Sequence, residues 1–444
     1  MPSDSTTTAT PLRITIVGAG LGGLAAAMAL RQSGHIVQVF ERTENKTEVG
    51  AALGLQPNAM RVLKQLGVEE KNLKGVYTRG IIGFDPETGE EKQAKFAPRA
   101  EQGENNASLS LFDPASFPNV TIGQWLLMCH RTDIYEELKR ITLDPAGDLP
   151  PVSMRFGCKV LSCSPEEGDV VLESGEVVQA DLVIGADGIQ SLIRTHVLGY
   201  VQDASPSGVA CCRAVFHAPP ADGRQPGLEW LTEGIEGARS VASKGLPLRM
   251  MLCYPCRNGE LINAVFMYME TEEEKEEVSN AVTIPTMSPT EVRAKFADFH
   301  PKFQRLLDLP NHTGRIFRWR LRTLPALPTW YKGRTALLGD AAHATVPFLA
   351  QGAAMAIEDA AVLACLLPIG TRREDISARL AVWEEIRKPR ADFVNKKSIE
   401  QMDVITAGQQ AAAIAERDMR SKLAEYDAIA AGTQAYQAKF VAKI

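Results

Sequence analysis

Gly18-Ala-Gly20-Leu-Gly-Gly23 stands between the apolar run Arg13-Ile-Thr-Ile-Val17 and a stretch, 22–33, of helical composition that ends at Gly34; Ile36 to Phe40 is apolar again. Strand, glycine turn, helix and strand within one short segment make the opening of a right-handed βαβ unit on a parallel sheet. The first glycine makes the tight turn, and the second admits a pyrophosphate against backbone N–H groups. A bare G-x-G-x-x-G also occurs in turns chosen for close helix packing, but the flanking strands favour a nucleotide here. Gly18, Gly20 and Gly23 are therefore candidate cofactor contacts. Glu41 ends the second strand, where this unit places an acid for ribose hydroxyls, which points to an adenosine without a 2'-phosphate. The plainer reading of Glu41 is a solvated charge, and the adjacent Arg42 is a cation able to accept a phosphate.

With 444 residues, the chain exceeds one ordinary core and predicts two domains, or one with an insertion. Its 45% hydrophobic and 23% charged content is that of a globular protein. The net charge of -6, with Lys and Arg scattered, excludes a nucleic-acid footprint. No apolar run is long enough for a membrane span, and the polar start MPSDSTTTAT is unlike a signal peptide, so a soluble cytoplasmic protein is expected. The eight cysteines show no framework spacing and are expected to be reduced thiols. Cys253-Tyr-Pro-Cys256 is the exception, yet a redox pair wants its first Cys at a helix N-terminus, and this one ends a strand-like run. No second C-x-x-C completes a zinc set, so no metal is expected.

Further along, 57–66 reads as a helix and 84–119 as a polar excursion or loop; 132–141 is again helical, and 159–184 forms successive strands. From 208 to 269, strand-like runs (210–216, 248–254, 261–268), interrupted by a Gly-rich stretch at 232–245, predict a separate, largely antiparallel sheet. A helix is expected over 289–307, a strand over 335–338 that rejoins the first sheet, and long helices from 353 onward. The layout is a discontinuous nucleotide domain (11–83, 121–205, 315–376), an excursion (84–120), an inserted substrate domain (206–314) and C-terminal helices (377–444). The last of these read as a solvated extension or a subunit contact.

The C-terminal half decides between nucleotides. A strand ends in Gly339-Asp340, followed by Ala-Ala-His343, Pro347-Phe-Leu-Ala-Gln351-Gly352-Ala353-Ala354 and Ile357-Glu-Asp359. A carboxylate at Asp340 suits a polyol such as ribitol. A helix starting near Gly352, Ala353 and Ala354 turns free N–H groups and a positive dipole end toward the flavin N1 and C2 carbonyl, where negative charge appears on reduction.

Together with Asp181-Leu-Val-Ile-Gly-Ala-Asp187-Gly188, these segments occur in the order seen in the FAD-dependent aromatic hydroxylases typified by salicylate and para-hydroxybenzoate hydroxylases, which nearly the whole chain resembles. The resemblance implies an α/β fold: a Rossmann-like FAD-binding domain of the para-hydroxybenzoate hydroxylase type, an inserted, largely antiparallel β-sheet substrate domain and a helical C-terminus. It places Asp187-Gly188 where FAD and the nicotinamide nucleotide both pass, Asp340 on ribitol, Arg131 on the FAD side and Pro347 near the flavin's reactive edge. The plainer readings are an ordinary turn for Asp187 and a surface cation for Arg131.

The implied reaction uses NADPH or NADH to reduce FAD, adds O2 at C4a, and passes one oxygen of the hydroperoxyflavin to an electron-rich carbon of a small aromatic substrate, a phenol or aromatic acid. Phenol dearomatisation and indole epoxidation remain alternatives, as does a flavin-dependent reductase without oxygen transfer. A binding protein that has lost FAD is disfavoured by intact Gly18, Glu41, Gly339 and Asp340. A monomer or homodimer is expected. His343 is tempting as a base, but a histidine hydrogen-bonded within its turn serves as well. On the substrate side, strand alternation turns Arg213 and Tyr254 into one pocket, where relatives use a cation and a phenol to hold the substrate as phenolate. A surface salt bridge and a packed aromatic are the plain alternatives. Two departures bear on substrate identity: Ala350, where the family often has glycine, and the excursion before Gln124.

Overall fold

In the computed structural model, which describes residues 10–44, 51–78, 80–96, 126–144, 149–219, 227–232, 237–276, 285–406 and 417–441, the strand Arg13–Val17 lies inside a six-stranded sheet. Its parallel neighbours are Ile36–Phe40 and Leu182–Gly185; Ser153–Arg155 and Thr335–Leu337 extend the sheet in parallel, and Tyr331–Lys332 closes one edge as an antiparallel hairpin. Leu182–Gly185 and Thr335–Leu337 are buried throughout, as strands covered on both faces must be. Helix Leu21–Gln32 packs on Gly352–Leu366 and on Arg131–Leu143.

A second, eight-stranded sheet runs in the order Thr286–Met287, Ile316–Thr323, Ser205–His217, Leu261–Met269, Arg249–Cys256, Ala238–Ala242, Gly80–Phe84 and Glu91–Phe96. It is antiparallel except where Ala238–Ala242 meets Gly80–Phe84. One face carries Phe266 and Cys253 against Trp230, Phe296, Phe299 and Phe303. The other carries Cys211, Tyr254, Val265 and Met267 against Ala52, Met128 and Val346, residues that lie outside this sheet. A smaller sheet, Ala52–Leu55, Leu126–His130 and Val76–Thr78, stands at that junction.

Several expectations need correcting. The helix over 289–307 is broken into Pro289–Lys295 and Pro301–Gln304, because Pro301 drives His300 (ψ 136) out of the helical region. The Gly-rich interruption at 232–245 contains the strand Ala238–Ala242. In the stretch from 84, read as an excursion or loop, residues 91–96 form a strand that pairs with Gly80–Phe84 at the edge of the second sheet, and 97–119 lie outside the described residues. Ile316–Thr323, placed by the sequence in the nucleotide domain, pairs with Ser205–His217 in the second sheet.

The C-terminal helices are also more than a solvated extension. On the long helix Ile376–Thr406, Trp383, Arg387, Ala391 and Val394 are fully buried along one stripe, and Ala428–Tyr436 packs on both Gly352–Leu366 and the long helix. No helix among the described residues is long and apolar enough to cross a membrane.

Candidate active site

The glycine turn is shaped by contacts that a side chain would destroy. Gly18 has φ +102, and a Cβ there would lie 2.4 Å from the Ala186 carbonyl oxygen; at Gly23 it would lie 2.0 Å from that of Gly18. At Gly20, by contrast, a Cβ would meet nothing within 4 Å, so this point of the turn faces open space. Glu41, 6% exposed, accepts from Ala19 N at 2.9 Å and Thr43 N at 3.1 Å, which fixes the turn from the end of the second strand. Arg42 is exposed beside it.

After the strand Leu182–Gly185, Asp187 spends its carboxylate on the helix Leu192–Leu198. It accepts from Ser191 Oγ (2.6 Å), Leu192 N (2.8 Å) and Ile193 N (3.1 Å). Burial pushes its carboxyl up and outweighs these donors. The turn reading thus describes its side chain, while Gly188 (φ +81) presents open backbone next to the Gly18 turn.

The third segment is organised by a buried ionic network. Gly339 takes φ +65, and the exposed Asp340 begins the next short helix. Gly339 N donates to Asp359 Oδ2 (3.2 Å), which also bonds His343 Nε2 (2.6 Å), while Asp359 Oδ1 accepts from Arg387 Nε (2.8 Å). His343, 3% exposed, therefore has the hydrogen-bonded role within the turn and is not displayed as a base. Glu358 pairs with Arg387 and Arg390 and accepts from Asn58 Nδ2 at 2.6 Å; Asn58 also reaches Gln351 Oε1 at 3.0 Å. Gln351 directly precedes the helix Gly352–Leu366, which opens with Ala353 and Ala354. The loop between is held by Ser398 Oγ to Val346 O (2.5 Å) and Gln56 Nε2 to Leu349 O (3.2 Å). Within it, Pro347 opens a single turn, and Ala350 takes the left-handed φ of 52 that explains a glycine preference at this position.

On the second sheet, Arg213 and Leu252 both pair with Val265, and Val215 and Tyr254 both pair with Asn263, so alternation puts Arg213, Tyr254 and Asn263 on one face. Arg213 Nε donates to Cys211 Sγ (3.4 Å), and its guanidinium lies 5.7 Å from the Trp319 ring. Among the described residues it has no carboxylate partner and no acceptor for its two Nη amines. Among the described residues the surface salt bridge is therefore not formed. Tyr254 is 7% exposed, burial pushes its phenol well up, and its hydroxyl donates to Ala52 O at 2.9 Å. Cys253 and Cys256 fall on opposite faces of the sheet, which rules out a redox pair. Arg131 begins the helix Arg131–Leu143, with its N–H on Ala51 O at 2.9 Å. Among the described residues, no cluster has the side chains to hold a metal.

Residues 12–398 match the family described as FAD binding domain. The chain belongs to this family. It is an FAD-dependent monooxygenase, similar to hispidin-3-hydroxylase of Neonothopanus nambi (34% identical over 427 residues, 94% of each chain). It is also similar to 6-hydroxynicotinate 3-monooxygenase of Pseudomonas fluorescens (31% over 395 residues, 87% of this chain and 90% of that one). Two solved structures share the fold: CtdE in complex with FAD and substrate (TM-score 0.76, 22% identity) and a salicylate hydroxylase substrate complex (TM-score 0.71, 22% identity), each covering 96% of this chain and 98% of its own.

The monooxygenase's residues fit FAD: the open point at Gly20 leaves room for a pyrophosphate, Asp340 is exposed, and the 15-residue helix from Gly352 begins directly after the Pro347 turn. Sequence reasoning missed Asn58, Glu358, Arg387 and Arg390, which hold that loop and helix, and Cys211, Trp319 and Asn263, which surround Arg213 and Tyr254. Glu358 and Asp359 stood in the quoted motif; their arginine partners carried no signal of their own.

Proposed function

We propose that this monooxygenase uses NADPH or NADH and O2 to oxygenate a phenol or aromatic acid that Arg213 holds through an anionic oxygen. The observation that carries the reading is the Arg213 guanidinium, fixed by Cys211 and Trp319 yet lacking any carboxylate among the described residues. A half-buried cation without a counter-charge is costly, and an anionic ligand removes that cost. A cation beside a phenol lowers its pKa, and the phenolate ring is the more electron-rich. Two relatives named for hispidin and 6-hydroxynicotinate support a ring substrate of this kind.

FAD, when bound, supplies the electron transfer and the oxygen activation. The chain's own part is binding and orientation. Gly18, Gly20 and Gly23 accommodate the pyrophosphate, with Glu41 and Arg42 at the adenosine end. Asp340 accepts from ribitol, and Asp187-Gly188 and Arg131 border the flavin side. Pro347 borders the reacting edge, and the N–H groups at Gly352, Ala353 and Ala354 stabilise negative charge on the reduced ring. Val346, Phe348 and Met402, packed against the substrate face, exclude water.

The test is NADPH and NADH oxidation screened against phenols and aromatic acids, with product mass compared to peroxide. Oxidation stimulated by an aromatic anion and matched by a product one oxygen heavier supports the reading. Stimulation only by uncharged, non-aromatic compounds contradicts it.

A further inference from the structure

Ala52 is gripped from the second sheet by both of its main-chain groups. Its N–H donates to Asn263 Oδ1 (2.9 Å) and its carbonyl accepts from the Tyr254 hydroxyl (2.9 Å), with all partners buried. Tyr254 and Asn263 are register partners on adjacent strands, so the two bonds come from one point of the sheet. Ala52 in turn pairs with His130, and the next residue, Arg131, donates its N–H to Ala51 O at 2.9 Å. These hydrogen bonds, joined through the Ala51–Ala52 peptide, thus link the face that carries Arg213 to the first turn of the helix that carries Arg131.

A second tie crosses the same junction. Arg257 makes two bonds to Asp133 (2.8 and 3.1 Å) and reaches His130 Nδ1 at 3.2 Å. Arg257 and Asn258 hold left-handed conformations (φ 47 and 54), a strain that persists only where surrounding contacts over-determine the turn. Asn263 is itself expensive, being fully buried with its Nδ2 lacking a partner among the described residues. A leucine of similar volume would pack in the apolar cluster without that penalty. What leucine would not provide is the acceptor for Ala52.

We propose that Tyr254 and Asn263 are positioning residues, which fix the strand Ala52–Leu55 and, through it, Arg131 at a set distance from Arg213. This rests on the reading of Arg213 and Arg131 given above. It replaces direct substrate contact as the principal role of the Tyr254 hydroxyl.

The test uses the FAD-bound protein and the variants Tyr254→Phe, Asn263→Ala and their combination. The Ala52 amide is followed by hydrogen exchange, and kcat, KM and the product-to-peroxide ratio are followed with the best substrate from the screen. Asn263→Ala, which removes the acceptor of the Ala52 amide, is expected to speed exchange there by about tenfold, the scale of one lost hydrogen bond, and Tyr254→Phe, which frees the Ala52 carbonyl and loosens the strand, by a smaller factor. Each should also lower the product-to-peroxide ratio, and the double variant should lose less than the two singles multiplied, because both act through one residue. Unchanged exchange at Ala52 overturns the proposal, as does a loss of turnover in Tyr254→Phe that Asn263→Ala does not share. If Asn263→Ala does not fold, Tyr254→Phe decides alone by the exchange rate. Failure of the monooxygenase reading is visible separately, as wild-type protein that forms no oxygenated product, and the exchange arm then stands by itself.

Discussion

Arg387 and Asp359 are both fully buried and pair at 2.8 Å, although one comes from the long C-terminal helix and the other from the helix that follows the Pro347 loop. Asp359 also holds Gly339 N, so this pair joins the C-terminal helix to the turn that presents Asp340.

Asp359→Asn leaves Arg387 and Arg390 sharing the single carboxylate of Glu358, a buried network one positive charge in excess, so it should destabilise the protein by about 3–5 kcal/mol in denaturant unfolding. Burial pushes the Asp359 carboxyl up, but His343 and Arg387 outweigh it and hold it below the ordinary carboxylate range. A lowered folded value means that this stabilisation is complete above the unfolded carboxylate pKa of about 4 and fades as pH falls through the folded value. Unfolding midpoints against pH should show wild type losing its advantage over Asp359→Asn only below about pH 4. An advantage that declined between pH 8 and 6 would contradict this.

Asp340→Ala should weaken FAD binding by about 1.5–3 kcal/mol, roughly ten- to hundredfold, because it removes a charged acceptor. Fluorescence titration of apoprotein measures this directly, and equal affinity in the variant would remove Asp340 from the site. Glu41→Ala should also lower FAD affinity, since it loses the bond that steadies Ala19 and, on the function proposed above, the ribose acceptor. Aggregation with unchanged cofactor binding would leave Glu41 a purely structural role.

Arg213→Ala should keep FAD yet divert NAD(P)H oxidation to peroxide. Arg213→Lys should recover only part of the coupling, because it retains the charge without the planar fork. Tight coupling in both variants would mean that the substrate anchor lies elsewhere.

What was legible in the sequence followed local pattern. The strand, glycine turn and helix around Gly18 were visible because backbone conformation and close approach demand glycine there, and the antiparallel character of 208–269 was visible in its β-rich runs. Ala238–Ala242 was hidden because it is short and mixes alanine with Arg239 and Ser240. The C-terminal helix was read as solvated because its Lys, Arg and Glu content masks one buried stripe through Trp383, Arg387, Ala391 and Val394. Partner choice was out of reach: Arg387 looks like any helical arginine until the fold sets it against Asp359, and Tyr254 looks like a substrate phenol until Ala52 meets its hydroxyl.

The central claim, oxygen transfer from O2 to an aromatic anion, is tested most directly by turnover under 18O2 with NADPH or NADH and the substrate found by screening. The account predicts one labelled oxygen atom in each product molecule, with nicotinamide oxidised in step. A product without label, or formed equally well without oxygen, would contradict it and favour a flavin-dependent reductase or dehydrogenase.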